Sequence, residues 1–307
     1  MSIFRAAQKI KNIKRYNRYF KPFNFSNTQE TAEEEHLEST TQLDANGETL
    51  CEEKFSADGE LEERNTYVFN EKGKLIEHSL LYAAEDATER RVLERDAEGK
   101  LTRETKFYGT DAGEHTEYSY NNEGEPVERK NFDEEGNFVS RDVFSYDSKG
   151  SLSEQVTYDT REKITSKITY ATGEDKSIEQ CEYDGNGKLL NKTIVRYNEA
   201  GKEVASTQTT PEGKLISGII TIYDEKGNVS ERQYKDFYSK TIRYQYDDQN
   251  RCIMQELFDG YGTLLKKNMY AFDEQGNLTI EQTYEMDTSR GGRDKHFETR
   301  YEYEFYS

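Results

Sequence analysis

The sequence has no tryptophan, and it has only three prolines and three cysteines. Cys51, Cys181 and Cys252 are odd in number and far apart, without a CxxC or other ligand spacing. That argues against a disulfide framework and a zinc site, and favours a reducing compartment. No apolar run reaches 18 residues and none opens the chain, so neither a transmembrane helix nor a conventional signal peptide is expected. The expected location is the cytoplasm, or the outside by a route without such a peptide. HExxH, GxSxG and P-loop patterns are missing. The four histidines, His36, His78, His115 and His296, are scattered. Catalytic residues, bound metal and cofactors are therefore not expected, and the chain is read as a non-enzyme. A glycosidase-like carboxylate pair carries no weight, because among 61 acids some pair meets the required distance by chance.

What is present is tyrosine and charge. Hydrophobic residues make up 33%, and 23 of them are tyrosine; charged residues make up 34%, with a net charge of -19. Abundant aromatics argue against disorder. Scarce Leu, Ile and Val argue against a thick two-layer core. A thin sheet with one buried and one solvated face fits both. The charge is uneven: residues 1–25 hold seven bases and no acid, leaving -26 on the rest. Such an acidic body repels nucleic acid and anionic membranes.

An internal repeat dominates the chain. An aromatic, then Asp or Asn, two free residues and Gly recur at Phe69-Asn70…Gly73, Tyr120-Asn121…Gly124, Phe132-Asp133…Gly136 and Tyr146-Asp147…Gly150. The string returns before Gly187, Gly201, Gly227, Gly262 and Gly276, while Asp96…Gly99 keeps the turn without the aromatic. At Tyr246-Asp247…Asn250 the Gly place is taken by Asn, the next best residue for a left-handed backbone. Asp or Asn accepts a bond from the backbone two residues on, the free pair forms a type I turn, and Gly takes the positive φ that realigns the strands. Gly73, Gly99, Gly136, Gly150, Gly187, Gly201, Gly227 and Gly276 are therefore read as structural turn positions. A calcium loop at Asp44-Ala45-Asn46-Gly47 is disfavoured, because the twelfth-position Glu is absent.

Glycines 124, 136 and 150, and again 187, 201, 213 and 227, lie 12 or 14 residues apart, giving a 26-residue unit of two strands. Because strand side chains alternate with period two, the even spacing predicts one shared face for Leu278, Ile280, Gln282 and Tyr284, and the other for Thr279, Glu281 and Thr283. Likewise Val156 and Tyr158 are expected inward, with Ser153, Gln155 and Thr157 outward.

The repeated Tyr223-Asp224-Glu225-Lys226-Gly227-Asn228-Val229 resembles the YD repeats of RHS and teneurin-type proteins, over roughly residues 41–287. The chain looks like a short, stand-alone bacterial member. The resemblance implies long β-hairpins laid side by side in one curled sheet that wraps a toxin or forms a scaffold. The fold class expected is all-β: an antiparallel β-hairpin repeat array forming a curved single sheet of roughly twenty strands, with a short N-terminal amphipathic helix.

Both ends differ from the array. Ile3, Ala6, Ile10, Ile13 and Phe20 fall at three- and four-residue steps among bases, a pattern that predicts a basic amphipathic helix stopped at Pro22. Residues 26–40 read as an acidic polar linker, and residues 41–307 as the repeat domain. Ile3, Arg5, Lys9, Ile10, Ile13, Lys14, Arg15, Arg18 and Phe20 are the candidate partner-binding residues. A cap over the first strand edge is the alternative reading of the same segment. Near the C-terminus, Ser289 to Lys295 reads as a long turn and His296 to Tyr306 as a closing strand, with Phe297, Tyr301, Tyr303 and Phe305 on one face.

The function expected is a non-enzymatic scaffold or protein-binding repeat protein, fitting a bacterial secretion, toxin or surface assembly. Its partner is another protein first; an anionic membrane surface or nucleic acid would engage residues 1–25 only. The alternative is a glycan-binding module using exposed tyrosines, although tyrosine is also a natural cross-strand partner in a thin sheet.

Overall fold

The structure, a computed structural model, describes residues 9–21, 31–109, 113–287 and 293–307. It divides into two compact units: residues 1–70, 78–88 and 241–307, and residues 71–77 and 89–240. Every element among the described residues is a strand, and no helix is present.

The first unit holds β1 (Ile10–Lys21), β2 (Thr31–Ala32), β3 (His36–Leu43), β4 (Thr49–Phe55) and β5 (Leu61–Phe69) from the start of the chain. From its end come β20 (Cys252–Asp259), β21 (Leu264–Phe272), β22 (Leu278–Glu285) and β23 (Lys295–Phe305). Strands β6 (Leu75–Tyr82), β7 (Ala87–Arg95) and β19 (Lys240–Tyr246) each divide between the units. The second unit is built from β8 (Leu101–Tyr108), β9 (Glu114–Tyr120), β10 (Pro126–Phe132), β11 (Phe138–Tyr146), β12 (Leu152–Tyr158) and β13 (Ile164–Thr172). It continues with β14 (Ile178–Asp184), β15 (Leu189–Tyr197), β16 (Glu203–Thr209), β17 (Leu215–Tyr223) and β18 (Val229–Lys235). Within it each strand from β8 to β18 pairs antiparallel with the next.

The N-terminal helix is corrected to a strand. β1 pairs antiparallel with β23 on one side, from Ile10↔Phe305 to Phe20↔His296, and with β3 on the other, from Asn12↔Gln42 to Asn17↔His36. The first hairpin and the last strand of the array are thus joined through β1. The sheet is closed there and not an open curved sheet, and this is the kind of closure by which β-barrels remove their edges. The physical reason lies in β1 itself: Tyr16, Tyr19 and Phe20 favour strands, and its bases meet acids on both neighbours. The segment read as an acidic linker contains the start of β3 at His36.

The turns follow their chemistry. In the turn after β11, Gly150 has φ +79°, and Asp147 Oδ1 accepts from the backbone N–H of Lys149 at 2.8 Å and of Ser151 at 2.9 Å. The other glycines read as turn positions, Gly73, Gly99, Gly136, Gly187, Gly201, Gly227 and Gly276, all have positive φ. Asn250 takes the same conformation at φ +62°.

One detail changes the faces. After most turns the register shifts by one residue: Tyr146 pairs with Leu152, but Ser145 pairs with Glu154. The extra residue is a β-bulge. Leu278 therefore pairs with Phe272, whereas Ile280 pairs with Ala271, and Leu278 does not continue the face of Ile280, Gln282 and Tyr284. The solvated face is corrected too. Val156 is 6% exposed, and its neighbour Thr157, pointing the opposite way, donates its hydroxyl to Asp142, which is 3% exposed. Both faces bury residues, and polar ones stand among them. Among the described residues Leu93 and Val156 are the buried apolar side chains, so stability rests on backbone ladders and cross-strand pairs of roughly 0.2–1 kcal/mol each.

Candidate binding surfaces

Of the residues expected to meet a partner, Ile3 and Arg5 lie outside the described residues; the other seven lie in β1 or directly before it. Lys9 is exposed, and its carbonyl accepts from Tyr306 N–H at 2.9 Å. Ile10 faces Phe305, Ile13 lies between Tyr303 and Thr41, and Lys14 lies between Glu302 and Thr40. Arg15 Nε is 3.1 Å from Glu38 Oε2. Arg18 reaches Glu35 at 3.5 Å and Glu298 at 3.8 Å. Phe20 stacks on His296 at 4.2 Å, and Tyr284 stacks on the same imidazole at 4.2 Å. The structure therefore brings these side chains together as the contacts of a closing strand. Arg300 holds the centre of this seam: its guanidinium lies over the Tyr16 ring at 4.4 Å and bonds both Glu35 and Glu302. Those two carboxyls are held below the usual range, in each case first by the hydrogen bond from Arg300.

Most tyrosines near the turns are occupied with the fold. The hydroxyls of Tyr120, Tyr146 and Tyr223 donate to the backbone carbonyls of Leu101, Pro126 and Glu203 at 2.7–2.8 Å, and Tyr303 does the same to Leu278. Each bond ties a strand end to a strand start 19 to 25 residues earlier. Lys100 and Lys202 lie over the rings of Tyr120 and Tyr223 at 5.4 and 5.2 Å.

Sequence reasoning missed the aromatic turn tips. In the second unit, the tip between β18 and β19 carries Phe237, 90% exposed, and Tyr238, 72% exposed, with their rings edge to face at 5.0 Å. In the first unit, Tyr261, between β20 and β21, is 98% exposed. The signal was available, because the free turn positions elsewhere hold residues such as Ala45-Asn46, Glu134-Glu135, Ser148-Lys149 and Glu225-Lys226. A type I turn tolerates almost any side chain there, so the turn itself does not require an aromatic.

A cleft of about 180 Å³ in the second unit is lined by Glu104, Lys106, Glu114, His115, Thr116, Asn131 and Phe132. It is smaller than the ~300–1,000 Å³ of ordinary ligand pockets. His115 stacks on Phe132 at 4.5 Å, and burial pushes its pKa down, which favours the neutral ring. Burial pushes the Cys51, Cys181 and Cys252 thiols up, away from the reactive thiolate. Among the described residues no three His, Cys, Asp or Glu side chains are grouped to hold a metal.

No protein-family model and no curated protein matches the chain. Several solved structures are similar to it. The TcdB2-TccC3 complex shares 9% identity at a TM-score of 0.32, over 91% of this chain and 19% of that one. The Photorhabdus luminescens Tc holotoxin pore shares 11% at 0.26, over 88% and 18%. A porin-like protein from Bacteroides uniformis shares 12% at 0.33, over 97% and 98%. The chain spans about a fifth of the toxin chains it is similar to.

Proposed function

We propose that the chain is a non-enzymatic, protein-binding scaffold suited to a bacterial secretion, toxin or surface assembly, and that it engages its partner through the β18–β19 tip. The observation that carries this reading is the exposure of Phe237 and Tyr238 at a turn whose fold does not need them. Exposed aromatics are the side chains that most often anchor protein interfaces, because they bury a large area for few rotatable bonds. The engagement of β1 within the sheet supports placing the contact here and not on the N-terminal bases. The small cleft and the thiols held in their neutral form support a binding role over a catalytic one.

The test is affinity capture from extract of the source organism, with the full chain and its F237S/Y238S variant matched for thermal unfolding. Proteins retained by the full chain and lost by the variant are the expected result; identical sets refute the tip as the contact. The glycan-binding reading rests on Tyr261, a fully presented ring between Gly260 and Gly262. A glycan array that binds the full chain but not a Y261S variant favours that reading instead.

A further inference from the structure

Asn-Gly occurs twice in the chain, as Asn46-Gly47 and Asn186-Gly187. Both pairs are exposed and fill the last two places of their turns, with Gly47 at φ +91° and Gly187 at φ +82°. The dipeptide sets a side-chain amide carbon beside the backbone nitrogen of a residue that has no side chain to shield it. At Asn137, Asn228 and Asn277 the next residue is Phe138, Val229 or Leu278, which covers that nitrogen.

The two turns differ in what holds them. Asp44 accepts from the backbone N–H of Asn46 at 2.7 Å and of Glu48 at 2.9 Å. It also accepts from the Asn46 side-chain amide, Nδ2 to Oδ2 at 3.3 Å. Asp184 accepts from the backbone N–H of Asn186 at 2.9 Å and of Lys188 at 3.0 Å. The Asn186 side chain makes no hydrogen bond among the described residues. Gly185 lies against the Ile164 carbonyl, where a Cβ would come within 2.2 Å, so opening of this turn falls on its Asn186–Gly187 half. The flanking charge differs too: Gly47 is followed by Glu48, and Gly187 by Lys188.

We infer that Asn186 is a self-modification site, where the protein converts its own asparagine to aspartate and isoaspartate, and that Asn46 is held back. The Gly187 nitrogen gives up its proton and attacks Asn186 Cγ. A C–N bond forms, the bond from Cγ to Nδ2 breaks, and ammonia leaves with that proton. The product is a succinimide ring, which water then opens. Breakage at Cγ gives aspartate, and breakage at the main-chain carbonyl carbon gives isoaspartate. Nothing is oxidised or reduced, and water is the sole co-reactant. The attacking nitrogen is anionic, so the Lys188 ammonium favours it, whereas the Glu48 carboxylate opposes the same step at Gly47. In the closed turn the Gly187 N–H donates to the Asp184 carbonyl at 3.0 Å, so attack waits on opening of the turn. Asn46 must in addition release its side chain from Asp44.

Aspartate at this place leaves the turn intact, since Glu98, Glu123 and Glu135 stand there in other turns. Isoaspartate lengthens the backbone by one carbon between the residues whose bonds to Asp184 close the turn, and the β14–β15 hairpin loosens there.

The test is incubation of the folded full chain at mildly alkaline pH. Proteolytic peptides are followed by mass for the change of amide to acid, and isoaspartate by its enzymatic methylation. Asn186 is expected to convert before Asn46, with isoaspartate among its products. In urea, where the turns no longer differ in hydrogen bonding, the gap between the two sites is expected to narrow. K188E, matched for thermal unfolding, is expected to slow Asn186, and E48K to speed Asn46, each by about threefold, as for charges a few ångström away in salt-screened water. The inference is overturned if Asn46 converts as fast as Asn186 in the folded chain, or if Asn186 stays intact over the time in which the unfolded chain converts. A gap unchanged in urea, or K188E without effect, overturns it as well.

Discussion

Arg300 on β23 grips Glu35, 265 positions away in the chain, with Nε 3.0 Å from Oε1 and Nη2 2.7 Å from Oε2. Glu35 stands just before β3, on the far side of β1, so this pair spans the closing strand. Its carboxyl is held below the usual range first by the Arg300 hydrogen bond, against the opposing effect of burial. A depressed carboxyl stabilises the fold above its unfolded pKa of about 4.3, and that contribution is lost as pH falls through the lower folded value. E35Q is expected to cost about 1–3 kcal/mol at neutral pH and to flatten the loss of stability below pH ~4. Urea unfolding of both proteins across that window checks it; equal stability at neutral pH refutes the clasp.

The turns make a separate acid-sensitive set. Backbone N–H groups hold the carboxyls of Asp147, Asp159 and Asp184 below the usual range. The order of stability expected at neutral pH is wild type, D147N, D147A, since Asn keeps the acceptor and loses the charge. The gap between wild type and D147N closes as pH falls through the depressed Asp147 value. In the same family of turns Gly136 has φ +79° with open space around it, so G136V suffers backbone strain alone, about 1–2 kcal/mol. G136N costs less, because Asn250 already adopts that conformation. Melting temperatures of the four variants decide both orders.

Tyr223 donates its hydroxyl to the Glu203 carbonyl at 2.8 Å. Y223F removes the donor and keeps the ring, so a loss of about 0.5–1.5 kcal/mol is expected. A silent substitution in chemical denaturation would show that the tyrosines serve as rings only.

The turns and strands were legible because Asp, Gly and an aromatic at fixed spacing leave little choice of backbone. The faces were not, because the bulge residue after most turns resets the alternation without changing the even spacing: Leu278 reads as one stripe with Ile280 yet pairs with Phe272. The N-terminal segment was misread because Ile10, Ile13 and Phe20 also satisfy a helical step. Period two would have shown Lys14 and Arg18 on one side, facing Glu302 and Glu298. The aromatic tip was visible in the sequence and passed over, since Phe237-Tyr238 lacks the glycine by which the other turns were found.

Residues 10–21 of the basic N-terminal segment form a strand within the sheet, and the proposed contact therefore lies at a turn tip. Hydrogen exchange of the full chain, resolved to residues 12–20, tests it most directly. Because β1 pairs with β23 across this whole stretch, with β3 over residues 12–17 and with β2 at Phe20, its amides are expected to exchange as slowly as those of β22 and β23. Exchange of residues 12–20 at the rate of an unstructured peptide, with β22 and β23 protected, would contradict the account and return these bases to partner binding.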